Sequence, residues 1–225
     1  IAHGGAEICR LQSRSFSLAN QYFTNEKIMI CAGNHLLGVV IIGFLDISGG
    51  WLLIFNVVIN SSSSLPPITT QDDYRKIGDF RSKALILSNN ALFELRKHLA
   101  FKQLRFHCYK PGGRAFHVAT LANSAGEWVI RFFTGQTEEF PKASGSFTRL
   151  PGDNSHIALR PADWGYENGT YKVGKWSHQG MKALRDPVAF IAYYAHWLLE
   201  PRRWECDDFN TPLPPVGSFW KIYVR

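Results

Sequence analysis

The sequence lacks the signatures that mark most enzymes and nucleic-acid readers. It contains no H-E-x-x-H helix face, no G-x-S-x-G nucleophile elbow and no Walker loop, and Gly112-Gly113 is too short a glycine run to cradle a phosphate. No zinc finger, helix-turn-helix or aromatic RNA-binding motif accompanies its basic residues. Cysteine is scarce: Cys9, Cys31, Cys108 and Cys206 include no C-x-x-C pair, which argues against thioredoxin-like chemistry and structural zinc. An even number of cysteines suits an oxidising compartment instead. The chain opens without Met or a basic-then-apolar leader, so Ile1 is expected to begin a fragment or a mature piece, and secretion is inferred indirectly.

What is present is enough for a real core. The 225 residues are 45% hydrophobic and 14% aromatic, which fits one large domain or two small ones and excludes a disordered or fibrous chain. A formal net charge of +7 favours anionic partners such as nucleic acid, sulfated glycan or an acidic surface. The basic residues are dispersed in pairs such as Arg75-Lys76, Arg96-Lys97 and Arg202-Arg203, so no nucleic-acid site is expected. Two sequons, at Asn60 and Asn168, mark candidate glycosylation sites of a glycoprotein.

Composition divides the chain near Arg75. Residues 1–75 form an unassigned N-terminal segment, and residues 76–225 an expected β-rich extracellular module. Within the first part, Leu36 to Ile59 carries Asp46 as its only formal charge. Three alternatives fit that stretch: a buried hairpin turning at Asp46-Ile47-Ser48-Gly49-Gly50, a membrane span of marginal insertion energy, or wrongly translated sequence. The membrane thus stays open as a partner, through an anchor at residues 36–59. Ser61 to Ser64 and Pro66-Pro67 read as a linker.

The second part begins with an amphipathic helix expected within Leu85 to Phe101, capped at Asn89 or Asn90. A three-stranded meander is then expected over Leu104 to Tyr109, Ala115 to Leu121 and Glu127 to Thr134, with turns at Pro111-Gly112-Gly113 and Asn123-Ser124-Ala125-Gly126. Further short runs follow at Ser146 to Leu150, His156 to Leu159, Tyr171 to Trp176, Val188 to Tyr194, His196 to Trp204 and Ser218 to Val224. Their regular spacing predicts a mainly β fold, an antiparallel sandwich-like domain with one or two short helices.

A set of ordered landmarks runs through this part: Phe106-His107-Cys108-Tyr109-Lys110, Gly113-Arg114-Ala115-Phe116-His117-Val118, Phe132 to Gln136, Gly145-Ser146-Phe147, Trp164-Gly165, Val173-Gly174-Lys175-Trp176, His196-Trp197-Leu198, Trp204-Glu205-Cys206-Asp207-Asp208 and Phe219 to Arg225. In combination they resemble an uncharacterised module of secreted cnidarian proteins, including coral skeletal organic matrix proteins. The resemblance implies a secreted protein of matrix or adhesion type. Where that family has two further cysteines, this chain has Ser144 and a cysteine-free Ala158 to Asp163, which leaves Cys108 and Cys206 to pair with each other or to remain free. Cys9 to Phe23 resembles the opening of a PAN/apple domain.

Two constellations are candidate sites. Glu205, Asp207 and Asp208 offer carboxylates for Ca²⁺, with Glu205 and Asp207 on one strand face if alternation holds, and Asp153 or Asn154 needed to complete the shell. Salt bridging to Arg202, Arg203 or Lys175 is the plainer use of those carboxylates. Trp164, Trp176 and Trp197 are candidate platforms for stacking on sugars, against the alternative that they fill the core. A dispersed hydrolytic metal site would have to be gathered from His107, His117, His178 and His196, which otherwise read as core-edge histidines. The expected function is therefore non-enzymatic: an extracellular matrix or cell-adhesion module contacting protein or glycan, with no catalytic residues and no cofactor beyond the candidate Ca²⁺. A calcium-dependent or lectin-like carbohydrate-binding domain is the alternative.

Overall fold

The computed structural model describes residues 9–12, 27–31, 44–46, 50–78, 82–137, 139, 141, 145–161, 166–167, 170–171, 188–192, 195–200, 203–208 and 213–225. Its strands are β1 (Cys9–Gln12), β2 (Lys27–Cys31), β3 (Phe44–Asp46), β4 (Trp51–Val58), β5 (Ala84–Ile86), β6 (Leu104–Tyr109), β7 (Ala115–Thr120), β8 (Phe147–Arg149), β9 (Tyr166–Glu167), β10 (Thr170–Tyr171), β11 (Val188–Ala192), β12 (Ala195–Glu200), β13 (Arg203–Asp208) and β14 (Phe219–Val224). Two helices, α1 (Asn89–His98) and α2 (Ser124–Phe133), and two 3₁₀ turns, Tyr74–Gly78 and Ile157–Leu159, complete the described elements. The fold is mainly antiparallel β with two short helices.

Nine strands form one sheet in the order β1-β2-β3-β4-β14-β6-β7-β8, with β5 also pairing with β4. The C-terminal strand β14 lies between β4 and β6, so Ile222 is registered against Phe55 on one side and Phe106 on the other. Trp51 to Val58, which precedes the division placed near Arg75, is thus an internal strand of the sheet and pairs with the last strand of the chain.

The unbroken apolar run of β4 has a direct cause. Leu52, Ile54 and Val57 join the main core, whereas Trp51 and Leu53 belong to a second cluster with Ala119 and Tyr223. A strand covered on both faces shows no polar alternation. Asp46 faces Trp51 across the antiparallel β3–β4 pair, the pairing that the hairpin alternative requires, while residues 36–43 and 47–49 lie outside the described part. No described helix is long and apolar enough to cross a membrane.

The main core lies on one face of the large sheet, under a mixed layer of α1, α2 and the small sheet β11-β12-β13. Among the described residues, the strands of that layer are the three of the small sheet. Phe106 of β6 meets Phe133 of α2 at 5.8 Å and Trp197 of β12 at 6.1 Å, both edge to face. Trp204 of β13 meets Trp220 of β14 at 5.7 Å. Edge-to-face packing matches the positive ring edge to the negative ring face.

Helix α2 replaces the third strand of the expected meander. Asn123 is its N-cap, accepting from the Gly126 amide, so the stretch that looked like a turn is a cap and first turn. Its buried residues Gly126, Val129, Ile130 and Phe133 recur at helical spacing. Gly126 is obligatory there, because a Cβ would collide with the carbonyl oxygen of Leu121. Helix α1 starts as expected, although its cap is Ser88, which accepts from Ala91 N at 3.2 Å, and Leu85 and Ile86 belong to β5.

The remaining boundaries shift for local reasons. His196 to Trp204 falls on two strands, β12 and β13, paired antiparallel with Glu200 registered against Arg203. His156 to Leu159 contains a 3₁₀ turn, not a strand. Beyond β8 the edge of β7 is covered by a loop: Asp153 accepts from His117 N at 2.7 Å and Asn154 from Ala115 N at 2.7 Å. Side-chain acceptors thus occupy donors that an exposed edge would offer to another chain. Of the expected strand Tyr171 to Trp176, residues past Tyr171 lie outside the described part.

Candidate functional site

Of the residues singled out in the sequence, Cys108, Cys206, Asp207 and Asp208 converge where β6, the β6–β7 turn, β13 and the 3₁₀ turn at Ile157–Leu159 meet. Cys108 of β6 and Cys206 of β13 form a buried disulfide with a Cα separation of 5.9 Å, across 98 positions of sequence. It ties the large sheet to the small one. Trp220 reinforces the junction by donating its indole N–H to the Glu205 carbonyl at 2.8 Å.

Asp207 sits at a bulge. His196 and Trp197 are registered against Asp208 and Cys206, so Asp207 is the extra residue, and its φ is 55°. The strand alternation assumed for Glu205 and Asp207 therefore does not hold at this point. The fully buried Asp207 carboxylate accepts from His156 N at 2.9 Å, Ile157 N at 2.7 Å and Arg114 Nε. Arg114 also donates from its terminal nitrogen to the Asp207 carbonyl at 2.7 Å. One carboxylate thus caps the 3₁₀ turn and neutralises a guanidinium.

Asp208 accepts from Lys110 Nζ at 2.6 Å and from the Cys206 amide at 2.7 Å. Arg114 and Lys110 of the β6–β7 turn are thus ion-pair partners of Asp207 and Asp208; Lys175, Arg202 and the Arg203 side chain, the partners anticipated from sequence, lie outside the described part. Asp153 is committed as well, to Arg149 Nε at 2.9 Å, His117 N and Ser155. The carboxylates of Asp153, Asp207 and Asp208 are consequently engaged in building the scaffold. Among the described residues, no group of three or more His, Cys, Asp or Glu is placed to hold a metal ion.

Lys110 is buried, and that burial pulls its pKa below the ordinary 10.5, against the opposing pull of Asp208 and Glu205. The unfolded chain therefore binds more protons than the folded one between the folded-state value and 10.5, and stability rises with pH across that window. In Lys110→Met this alkaline rise is expected to flatten. Urea unfolding of both proteins at stepped alkaline pH checks it, and parallel curves would show that Lys110 carries no such linkage.

On the opposite face of the sheet, His107 and His117 are cross-strand neighbours with stacked rings 4.0 Å apart. Arg105 Nε donates to His117 Nε2 at 2.8 Å, and His117 Nδ1 lies 2.8 Å from the Pro151 carbonyl. Arginine can only donate, so Nε2 is the acceptor and Nδ1 carries the proton. Both nitrogens of His117 are thereby engaged in structure. His196 is on β12 in the other sheet, and His178 lies outside the described residues.

Trp197 is fully buried and packs edge to face on Phe106 and on Phe116 at 5.6 Å. It fills the core and presents no platform to a sugar. Trp164, Trp176 and Asn168 lie outside the described residues. Asn60 is exposed just beyond β4, where its Oδ1 accepts from Lys83 Nζ at 3.0 Å.

Sequence reasoning missed an exposed apolar patch. Tyr109 ends β6 and is registered against Phe219 at the start of β14, with their rings 5.9 Å apart. The neighbouring turn Pro215 to Ser218 closes by Ser218 N donating to the Pro215 carbonyl at 3.1 Å, with Gly217 at φ 92°. A Cβ on Gly217 would press on Pro111 of the β6–β7 turn, so the two turns are packed side by side. Tyr109 at 36%, Leu213 at 65% and Val216 at 50% are exposed there. The only hint in sequence was a leucine and a valine set among prolines and a glycine.

No protein-family pattern, no curated protein and no solved structure matches this chain.

Proposed function

We propose that this chain is a non-enzymatic module of the extracellular matrix or cell surface, acting by contact with a protein partner. The observation that carries the proposal is the pairing of a locked scaffold with an exposed apolar patch. The Cys108–Cys206 bond, the Arg114–Asp207 pair and the Lys110–Asp208 pair all fix the β6–β7 turn, and Tyr109 and, around the turn packed against Pro111, Leu213 and Val216 are exposed.

A buried disulfide between sheets suits a protein that folds in an oxidising compartment. Aliphatic residues held rigidly in solvent lose little conformational entropy on docking, which favours a protein surface over a solvated sugar. The ordered landmarks from Phe106 to Arg225, with their resemblance to secreted cnidarian matrix proteins, support the same assignment. A calcium-dependent or lectin-like version would draw on Trp164, Trp176 and the tyrosine–phenylalanine pair of Tyr109 and Phe219.

The test is binding of the purified full chain to a panel of extracellular matrix proteins and to a glycan array, with and without Ca²⁺. Calcium-independent binding to a matrix protein, weakened at least about tenfold in a Tyr109→Ala, Leu213→Ser, Val216→Ser variant of unchanged melting temperature, is expected. Binding confined to glycans or dependent on calcium would move the function to the alternative. Turnover of a substrate by the purified chain would overturn both.

A further inference from the structure

We propose that Cys9 and Cys31 form a second disulfide, closing the β1–β2 hairpin at the outer edge of the large sheet. In the antiparallel β1–β2 ladder, Cys9 is registered directly opposite Cys31. Directly opposed residues of such a pair have Cα atoms about 4.5 to 5.5 Å apart, inside the range of about 4.4 to 6.8 Å that a disulfide spans. Cys108 and Cys206 are already bonded to each other, and among the described residues no cysteine is free. The chain has four cysteines, so Cys9 and Cys31 have only each other within one molecule.

The bond forms by thiol–disulfide exchange with an oxidant of the disulfide class, a protein disulfide or oxidised glutathione. The thiolate of one cysteine attacks the oxidant, making a mixed disulfide and releasing one thiol. The second thiolate displaces the other half. Cys9 and Cys31 together lose two hydrogens, two electrons with two protons, and the oxidant leaves as two thiols.

The consequence lies at the edge of the sheet. Strand β1 has β2 as its neighbour on one side and ends the strand order on the other. Exposed edges invite pairing with other chains, and a covalent tie at one end of β1 fixes its register against slippage. The nine-stranded sheet then carries one covalent tie near its first strand and another at β6.

The experiment is a peptide map of the full chain, secreted from eukaryotic cells and digested with trypsin without reduction. The expected result is the peptide ending at Arg10 linked to the peptide beginning at Ile28. A second linked pair should join Phe106–Arg114 to Trp204–Lys221. Thiol titration in guanidinium is expected to find none in the wild type and about one per chain in Cys9→Ser. Free thiols at Cys9 and Cys31, or a link from either to Cys108 or Cys206, would overturn the proposal. If the first pair is free and the second is linked, only the edge tie fails. If all four are thiols, the extracellular function fails with it.

Discussion

Reducing the Cys108–Cys206 bridge, or replacing both residues with serine, is expected to lower stability by about 4 kcal/mol. The bond closes a loop of 98 positions, and the chain-entropy model gives about 4.7 kcal/mol for a loop of roughly 100 residues, an upper figure when the reduced chain keeps some structure. For a chain of this size that corresponds to a fall in melting temperature on the order of 10 °C. The bond is buried, so the reductant must wait for opening of the β13–β6 junction, and loss of stability should appear slowly at low temperature. Thermal unfolding with and without prolonged reduction, beside the double serine variant, measures it. A melting temperature unchanged in the serine variant would mean that the sheets are held together without the staple.

The second large effect is expected at Asp207. Asp207→Ala removes the fully buried acceptor of two backbone amides and the partner of the part-exposed Arg114 guanidinium, so a loss of about 2 to 4 kcal/mol is expected, most of it from the two amides left unsatisfied. Asp207→Gly separates the two things the residue does. Glycine relieves the positive φ of 55° but leaves the same donors unpaired. It should therefore fall close to alanine in guanidinium unfolding. A glycine variant as stable as wild type would show that backbone conformation, not the carboxylate, is what position 207 supplies. Asp207→Asn keeps the shape, tolerates the left-handed backbone and retains one acceptor oxygen, yet its NH2 group replaces the other oxygen and faces the donor or donors that oxygen accepted from, so only part of the loss should be recovered.

These two positions show which parts of the molecule were legible in the sequence. Strand β6 matches the expected Leu104 to Tyr109, and β7 falls one residue short of Ala115 to Leu121, because a proline–glycine turn sets off alternating runs. Helix α2 was hidden because Trp128, Val129, Ile130, Phe132 and Phe133 are favoured in strands, and the cap at Asn123 looks like a turn until Glu127 is placed in the first helical turn. Strand β4 could not be told from a membrane span, since a strand buried on both faces and an apolar helix have the same composition.

The candidate site was legible in its members but not in its geometry. Cys108, Cys206, Asp207 and Asp208 do meet, yet a single bulge at Asp207 turns its carboxylate onto Arg114 and the 3₁₀ turn, which no alternation rule anticipates. Lys110 and Arg114 are almost a hundred positions from their acidic partners, so nearby arginines looked like the obvious choice. Trp197 went to the core for the reason large aromatics usually do: it buries much apolar area. The exposed turns were missed because nothing in Leu213 to Gly217 shows that it lies against Pro111.

The most direct measurement is amide hydrogen exchange on the full chain, free and bound to the tightest-binding protein from the matrix panel. Protection on binding is predicted at residues 109–114 and 213–219, with the core strands unchanged. Protection centred on His107 and His117 and absent from both turns, or none anywhere at saturating partner, would contradict the account.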